Sequence, residues 1–467
     1  MVLGDCVLDV WLSGTCRRLC REGPAAVVDI ERSAVHPGAA ANTAANLAAL
    51  GARTEIVTVI GEDDVGASLL HELHRYGVVT ERAVIVSRQT PSKSRIIAGN
   101  HILLRFDQGN GRAGSEAARL ADQLTAALQT ADALVVSDYG SGVVDPLILA
   151  ALHEARPALA LLVVDGHNVA AWRSLRPDVV TPSAAESTAL LPDAHLDGRP
   201  RPDFFVENRR GLAAATGAAT VVVTLDSDGV LLLDGDRAAY RTTTRPAREE
   251  NCAGAGDTFT AAMTIGLLQG MSAVEAIEYG QLAADVVTAQ PGTSVCMKAE
   301  LDDRITAGNG APIPPDELIR LVTGHRKAGH RIVFTNGCFD VLHRGHVAYL
   351  KEAKQAGDVL IVAINSDQSV RRLKGADRPI NSAADRAAVL GELSCVDYVT
   401  VFDGDTPAPL IQQLQPDIYV KGGDYTADML PEAPVVRSYG GELRMLGYVA
   451  NHSTTDTIAR IRASVDF

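Results

Sequence analysis

The strongest constraint on this chain is a rhythm that starts twice. Short β-branched runs alternate with Ala-rich stretches of helical period. In residues 1–298 the runs include 55–60 (EIVTVI), 133–137 (ALVVS), 160–164 (ALLVV) and 220–224 (TVVVT). Between them, 39–50 and 115–129 carry apolar residues at helical spacing. Strands alternating with helices imply crossover connections, and crossovers build a mainly parallel sheet with helices on both faces. Met1 stands three residues before Gly4, so the first strand is expected to be very short.

Residues 299–315 (AELDDRITAGNGAPIPP) interrupt the rhythm with Gly, Asn and Pro and read as a linker. A helix at 316–328 then opens a second series, with strands at 331–335, 359–365 and 397–402 and helices at 346–356 and 383–393. The expected organisation is therefore a domain at 1–298, a linker at 299–315 and a domain at 316–467. No apolar run reaches the roughly 18 residues of a membrane span, and the first residues do not resemble a secretory signal. A net charge of −14 argues against broad binding to nucleic acid or anionic membranes. Seven scattered Cys, without a CxxC pair, read as reduced thiols, and a cytoplasmic location is expected.

The sharpest motif is FTNGCFDVLHRGH at 334–346. A strand ends at Thr335, a Gly turn follows, and His343 and His346 flank Gly345 where a helix begins. Two imidazoles beside the free N–H groups of a helix start suit a polyphosphate. A metal site or a purely structural His pair are the alternative readings, but no third ligand follows at metal-site spacing.

This motif resembles the HxGH nucleotidyltransferase superfamily. With NSD at 365–367, RRLKGADRP at 371–379, VKGGDY at 420–425 and STT at 453–455, it is similar to one branch, the heptose 1-phosphate adenylyltransferases of bifunctional heptose enzymes. The resemblance covers 330–462 and implies a Rossmann-like domain. By carry-over, His343 and His346 would stabilise the transition state, and Lys351 would hold phosphate oxygens. Thr335, Asn336, Gly337, Phe339, Lys421 and Gly422 would border ATP, with Ser453, Thr454 and Thr455 at its β/γ end. Asn365, Asp367 and Asp424 would meet the sugar phosphate. Lys374, Arg378 and Arg386 are either ligand contacts or surface charge.

In the N-terminal half, NCAGAGDTF at 251–259 precedes an apolar helix. Backbone N–H groups at a helix start can hold a migrating phosphoryl group, and Asp257 can accept a proton from the attacking hydroxyl. A plain N-cap would account for Asp257 equally well. With GD at 4–5, HPGAAAN at 36–42 and VTLDSDG at 223–229, the half resembles the ribokinase-like carbohydrate kinases, a mainly parallel sheet sandwiched by helices. LRFD at 104–107, SDYG at 137–140 and PGT at 291–293 fit the heptose kinase branch. The resemblance implies Asp9, Gly38, Asn42 and Arg105 at the sugar, Thr224 and Gly229 at ATP, and Gly254, Ala255 and Gly256 as the anion hole. Asp257 would be the base, and Glu186 would act in the Mg²⁺–phosphate network.

Several positions depart from that pattern: Ala39 stands for Gly, Gly166-His167 for Pro-Lys, Ser183 for Asn, and Asn251-Cys252-Ala253 for Asp-Thr-Thr. A methyl at Ala39 would crowd the sugar, and Asn251 lacks the charge that helps organise the anion hole, sometimes through a monovalent cation.

The combined resemblance implies ATP-dependent phosphorylation of D-glycero-D-manno-heptose 7-phosphate at O1, then adenylyl transfer from ATP to heptose 1-phosphate. ATP and Mg²⁺ serve both halves, a separate phosphatase acts between the steps, and a homodimer through the kinase half is expected. The alternatives are a kinase half reduced to a scaffold, or a different sugar or nucleotide.

Overall fold

The three-residue strand Val2–Gly4 (β1) lies one place in from the edge of an eight-stranded sheet. The structure, a computed structural model, describes all residues except 100, 110–115, 143–144, 193, 195–199, 245–251, 309–311, 328, 394, 423–428 and 447–467. Two units are separated by their contacts, Met1–Leu301 and the residues from Asp302 onward.

In the first unit, the chain leaves β1 directly into two long strands, Cys6–Leu19 (β2) and Ala26–Ala39 (β3). The helix Ala40–Ala49 then returns it to Ile56–Val57 (β4) beside β1. Val59–Gly61 (β5) and Val84–Val86 (β6) form a small parallel pair. The expected single strand at 55–60 is thus divided, because Thr58 turns its hydroxyl to the carbonyl of Gly4 at 2.8 Å and the chain changes sheet there.

Ser92–Ala98 (β7) and His101–Gln108 (β8) follow. The main sheet is then completed by Ala133–Asp138 (β9), Leu161–Gly166 (β10), Val179–Val180 (β11), Thr220–Thr224 (β12), Val230–Asp234 (β13) and Tyr240–Arg241 (β14). Its order is β14-β13-β12-β11-β10-β9-β1-β4. The strands from β12 to β4 run parallel, and β13 and β14 add antiparallel at one edge.

Because β1 leads to β4 on one side while β9 lies on the other, the β1/β9 boundary is a switch point, where open α/β sheets form their ligand crevice. One face of the sheet buries Leu3, Leu134, Val136, Leu162, Val164, Trp172 and Phe204. The helices Ala255–Leu268 and Ala273–Thr288 form a packed pair.

A second, four-stranded sheet of order β3-β2-β7-β8 was not anticipated by the sequence reading. It leaves Leu19, Ile30, Ile102, Leu103, Leu104 and Phe106 exposed.

The second unit is a five-stranded parallel sheet built from Ile332–Gly337 (β15), Val359–Asn365 (β16), Tyr398–Phe402 (β17), Ile418–Gly422 (β18) and Glu442–Leu446 (β19). The order β17-β16-β15-β18-β19 puts its switch point at β15/β18. Alternate residues feed two cores: Ile332, Phe334 and Ile361 on one face, Val333, Leu360 and Val362 on the other.

The segment 299–315, expected as a linker, carries regular structure in part. Lys298–Gly308 is helical, Pro315–Lys327 begins the next helix, and Ile313 is buried in the core of the second unit.

Candidate active sites

At the switch point of the first unit, the helix Ala255–Leu268 starts from Gly254, whose φ of 83° is the left-handed conformation that favours glycine. A Cβ at Gly254 would lie 2.4 Å from Asn42 Nδ2. One at Gly256 would meet nothing within 4 Å among the described residues, so the first turn of the helix faces open space among them.

Asp257, in that turn, is 6% exposed. Asn42 Nδ2 donates to its Oδ2 at 3.1 Å and to the Gly254 carbonyl at 3.2 Å, and the Tyr139 hydroxyl donates to its Oδ1 at 2.7 Å. Burial pushes the Asp257 carboxyl up to about 7, and the neighbouring Asp165 charge adds to this. Asp165, at the end of β10, accepts the Thr181 hydroxyl at 2.8 Å and is itself raised by burial to about 6.

Asp9, on β2, belongs to the same constellation. It accepts Arg95 at 2.8 Å and the Thr293 hydroxyl at 3.0 Å, and Thr293 in turn accepts the Trp11 indole N–H at 3.1 Å. A Cβ at Gly38 would come within 2.8 Å of Asp9 Oδ2, so glycine lets the carboxylate lie against this backbone.

Arg105 sits on β8 directly opposite Arg95 and forms an exposed pair with Asp107 at 2.7 Å. Arg95, which the sequence reading passed over, is the arginine that reaches Asp9. Tyr139, Asp165 and Thr293 were likewise given no role. PGT and SDYG were visible as branch motifs, but the meeting of their side chains with Asp9 and Asp257 depends on the tertiary fold.

The departures have structural partners. Ala39 holds φ 56°, a conformation costing a non-glycine residue about 1–3 kcal/mol, so its expense falls on the backbone. Ser183 caps the helix Ala184–Ala189 in a reciprocal capping box with Glu186. Glu186 Oε2 accepts the Ser183 N–H at 2.8 Å, while Oε1 lies 2.7 Å from His167 Nδ1. Both oxygens of the expected Mg²⁺ ligand are thus engaged, and among the described residues no cluster of three or more His, Cys, Asp or Glu side chains could hold a metal.

The donor chemistry still suits Mg²⁺ carried on a nucleotide. That ion takes one or two carboxylates and keeps several waters, and His167 is an exposed side chain able to yield its place. Thr224 ends β12, next to the Ser183 bridge. Gly229 has φ 86°, and a Cβ there would strike the Thr242 carbonyl at 2.5 Å, so chain packing alone requires this glycine.

In the second unit, His343 caps the helix Arg344–Lys354 in extended conformation, and its ring stacks on His346 with centroids 3.9 Å apart. Phe339, at φ 44°, packs on His346 at 5.2 Å. Burial, then the charges of His343 and Lys374, pushes His346 down to about 4, so it is neutral near pH 7. Its Nδ1 is buried without a hydrogen-bond partner among the described residues.

Lys374 is a lysine whose charge reaches His346. Lys351 is exposed on its helix and acts electrostatically on Cys395. Thr335, Asn336 and Gly337 close β15. The Asn336 carboxamide oxygen accepts both Lys421 Nζ at 2.9 Å and the Tyr419 hydroxyl at 2.7 Å. Burial lowers the Lys421 pKa. Tyr349, absent from the sequence reading, bridges Thr335 Oγ1 and the Val420 carbonyl and lies 3.0 Å from where a Gly422 Cβ would be.

Asn365 is buried and Asp367 half-buried, and both have protein partners. Asn365 donates to Ser369 Oγ at 3.0 Å and accepts from the Cys338 thiol. Asp367 accepts Arg386 at 2.7 Å. Arg386, 2% exposed, also donates to the carbonyls of Cys338 and Asn381, so it is a buried clamp rather than surface charge. Arg378 pairs with the buried Asp340. Asp424, Ser453, Thr454 and Thr455 lie outside the described residues, as does Asn251.

Family models match both halves: the pfkB family carbohydrate kinases over residues 1–300 and the cytidylyltransferase-like family over 334–453. Curated relatives called Bifunctional protein HldE align along the full length. The Pelobacter propionicus protein is 34% identical over 99% of this chain and 95% of its own. The Geobacter sulfurreducens protein is 37% identical with the same coverage. Among solved structures, phosphofructokinase-2 from Escherichia coli has a TM-score of 0.55 at 20% identity, covering 66% of this chain and 98% of its own. Ribokinase from Thermotoga maritima has a TM-score of 0.50 at 20% identity, covering 65% and 98%. At these identities the structural likeness speaks for the fold.

Proposed function

The chain belongs to the bifunctional HldE family, a pfkB-family carbohydrate kinase joined to a cytidylyltransferase-like domain, and from that premise we propose how its two halves serve ADP-heptose synthesis. The first half phosphorylates O1 of D-glycero-D-manno-heptose 7-phosphate with ATP. The second transfers an adenylyl group from ATP to heptose 1-phosphate and releases pyrophosphate.

The kinase reading is carried by one observation, the buried Asp257 held by Asn42 and Tyr139 beside the open space over Gly256. Asp257 takes the proton of the O1 hydroxyl as that oxygen bonds to the γ-phosphorus and the bond to the leaving ADP breaks. The N–H groups of the helix start face the transferring phosphoryl oxygens and stabilise their charge. Asp9 and Asn42 orient the sugar. Mg²⁺, bound with ATP, would be held near Glu186 and supplies neutralisation of phosphate charge.

In the second half the sugar phosphate is already ionised near pH 7, so no strong base is needed. Its oxygen attacks the α-phosphorus, pyrophosphate leaves, and His343 and His346 donate to the phosphate oxygens. The stacked pair of rings at the helix start supports this role.

The proposal extends to a separate phosphatase between the steps, since the kinase product carries a second phosphate, and to a cytoplasmic site of action. It also includes a homodimer through the kinase half, supported by the exposed apolar side chains of the four-stranded sheet. A monovalent-cation requirement of the kinase is tested by exchanging K⁺ for tetramethylammonium.

A second reading, in which only the transferase turns over, is favoured by the engagement of both Glu186 oxygens. ³¹P NMR of the full chain with Mg²⁺-ATP and the heptose 7-phosphate decides between them. An anomeric phosphate appearing with ADP supports the two-step reading. No product, from protein that still releases pyrophosphate with heptose 1-phosphate, supports the second.

A further inference from the structure

Asp257 and Asp165 are two carboxylates with one hydroxyl between them. The Tyr139 oxygen lies 2.7 Å from Asp257 Oδ1 and 3.5 Å from Asp165 Oδ2. Its place is fixed from several sides. Asp5 accepts the Tyr139 backbone N–H at 3.0 Å and that of Ser141 at 2.9 Å, which anchors the loop after β9. The His167 ring meets the Tyr139 ring edge-on at 5.1 Å, and Lys93 Nζ lies 5.7 Å from the ring centroid.

We propose that Tyr139 is a positioning residue for phosphoryl transfer, whose shared hydroxyl locks the carboxylate plane of Asp257 and keeps that base ionised. The proposal rests on the kinase reading above. With Asn42 on Oδ2 and Tyr139 on Oδ1, each oxygen of Asp257 has one protein donor and keeps a lone pair for the incoming proton. A donor to a carboxylate favours its charged form, while a nearby like charge opposes it.

The charged and titratable groups around Asp257 are Asp165 on β10, Asp9 on β2, and Glu186 with His167 beyond them. Lys93 and Arg95 stand on β7, with Arg95 committed to Asp9. Asp165 is the largest opposing charge. Burial and these two carboxylates raise the Tyr139 phenol, so it stays protonated and remains a donor throughout the working range.

The test is the pH profile of the kinase kcat in the full chain, with adenylyl transfer measured on the same samples. In Tyr139→Phe the acid limb moves up by about one pH unit, so the loss is larger at pH 6.5 than at pH 8.5. In Asp165→Asn the limb moves down, because the opposing charge is gone and the Tyr139 hydroxyl has a single acceptor left. Opposite shifts with unchanged adenylyl transfer support the proposal, since general destabilisation would not move the two limbs apart. An unmoved limb in Tyr139→Phe, or equal shifts in one direction, overturns it while leaving the kinase reading intact. If Tyr139→Phe does not fold, Tyr139→Met, which likewise lacks the hydroxyl, takes its place: an upward shift of the acid limb supports the proposal and an unmoved or downward limb overturns it. A parent chain that forms no anomeric phosphate overturns the kinase reading and this proposal with it.

Discussion

Replacing Gly256 with Ala separates a glycine kept for folding from one kept for a ligand. Gly256 is exposed in the first turn of the helix Ala255–Leu268, its φ lies outside the left-handed region, and an added Cβ meets nothing within 4 Å. Folding therefore gains from the change, because Ala is favoured over Gly in a helix by up to about 1 kcal/mol. In a unit of some 300 residues that raises the melting temperature by about 2 °C. Catalysis loses instead. The new methyl occupies the open space into which the helix N–H groups point, and it holds the phosphoryl oxygens away from them. Losing one such donor costs about 10²- to 10³-fold in rate, or roughly 3–4 kcal/mol. The assay is ADP release with the heptose 7-phosphate at saturating ATP, beside calorimetric melting and pyrophosphate release by the same protein. The expected variant is slightly more stable, retains adenylyl transfer and has lost its kinase. A kinase rate within about threefold of the parent would refute the anion-pocket reasoning.

Other expectations follow from the same geometry. His346→Ala should lower pyrophosphate release from ATP and heptose 1-phosphate by about 10²-fold or more while leaving the kinase intact; equal loss of both activities would argue against independent halves. Asp257→Asn should abolish the kinase yet raise the melting temperature at pH 8. The folded carboxyl holds its proton to about pH 7 and the unfolded one only to about 4, so the parent loses stability as pH rises through that window. The Asn variant has no such loss, and a melting difference that does not widen between pH 5 and pH 8 would contradict this. Arg386→Leu should cost about 3 kcal/mol, because it strands Asp367 and two carbonyls around a side chain that is 1% exposed. A melt of the second unit unchanged from the parent would contradict the buried clamp.

The central strands were readable from the chain because both their faces are buried. A run such as VLIVAIN at Val359–Asn365 has no solvent side to break its apolar pattern. The four-stranded sheet of β3, β2, β7 and β8 was not readable for the opposite reason. Its strands carry Arg, Asp and Glu among exposed apolar residues, and β2 pairs with β7 some 84 residues away, as Leu8 with Ser92. The candidate site of the first unit was half visible: the helix start at Gly254 and Asp257 is local, whereas Asn42 and Tyr139 reach Asp257 across 215 and 118 residues.

Motif residues also hide their reasons. Asp367 reads as a site residue and Arg386 as a ligand contact or surface charge; in the fold they pair, and Arg386 also holds the Cys338 carbonyl. Three glycines of the kinase half make the same point. Gly229 is required by the Thr242 carbonyl 2.5 Å from its missing Cβ, and Gly254 by its φ of 83° and by Asn42. Gly256 is required by nothing among the described residues. A side chain excluded by its neighbours speaks for the scaffold, while a side chain missing from free space speaks for something that comes and goes. That asymmetry makes Gly256, rather than the better-packed glycines beside it, the position where the kinase reading is most exposed to test.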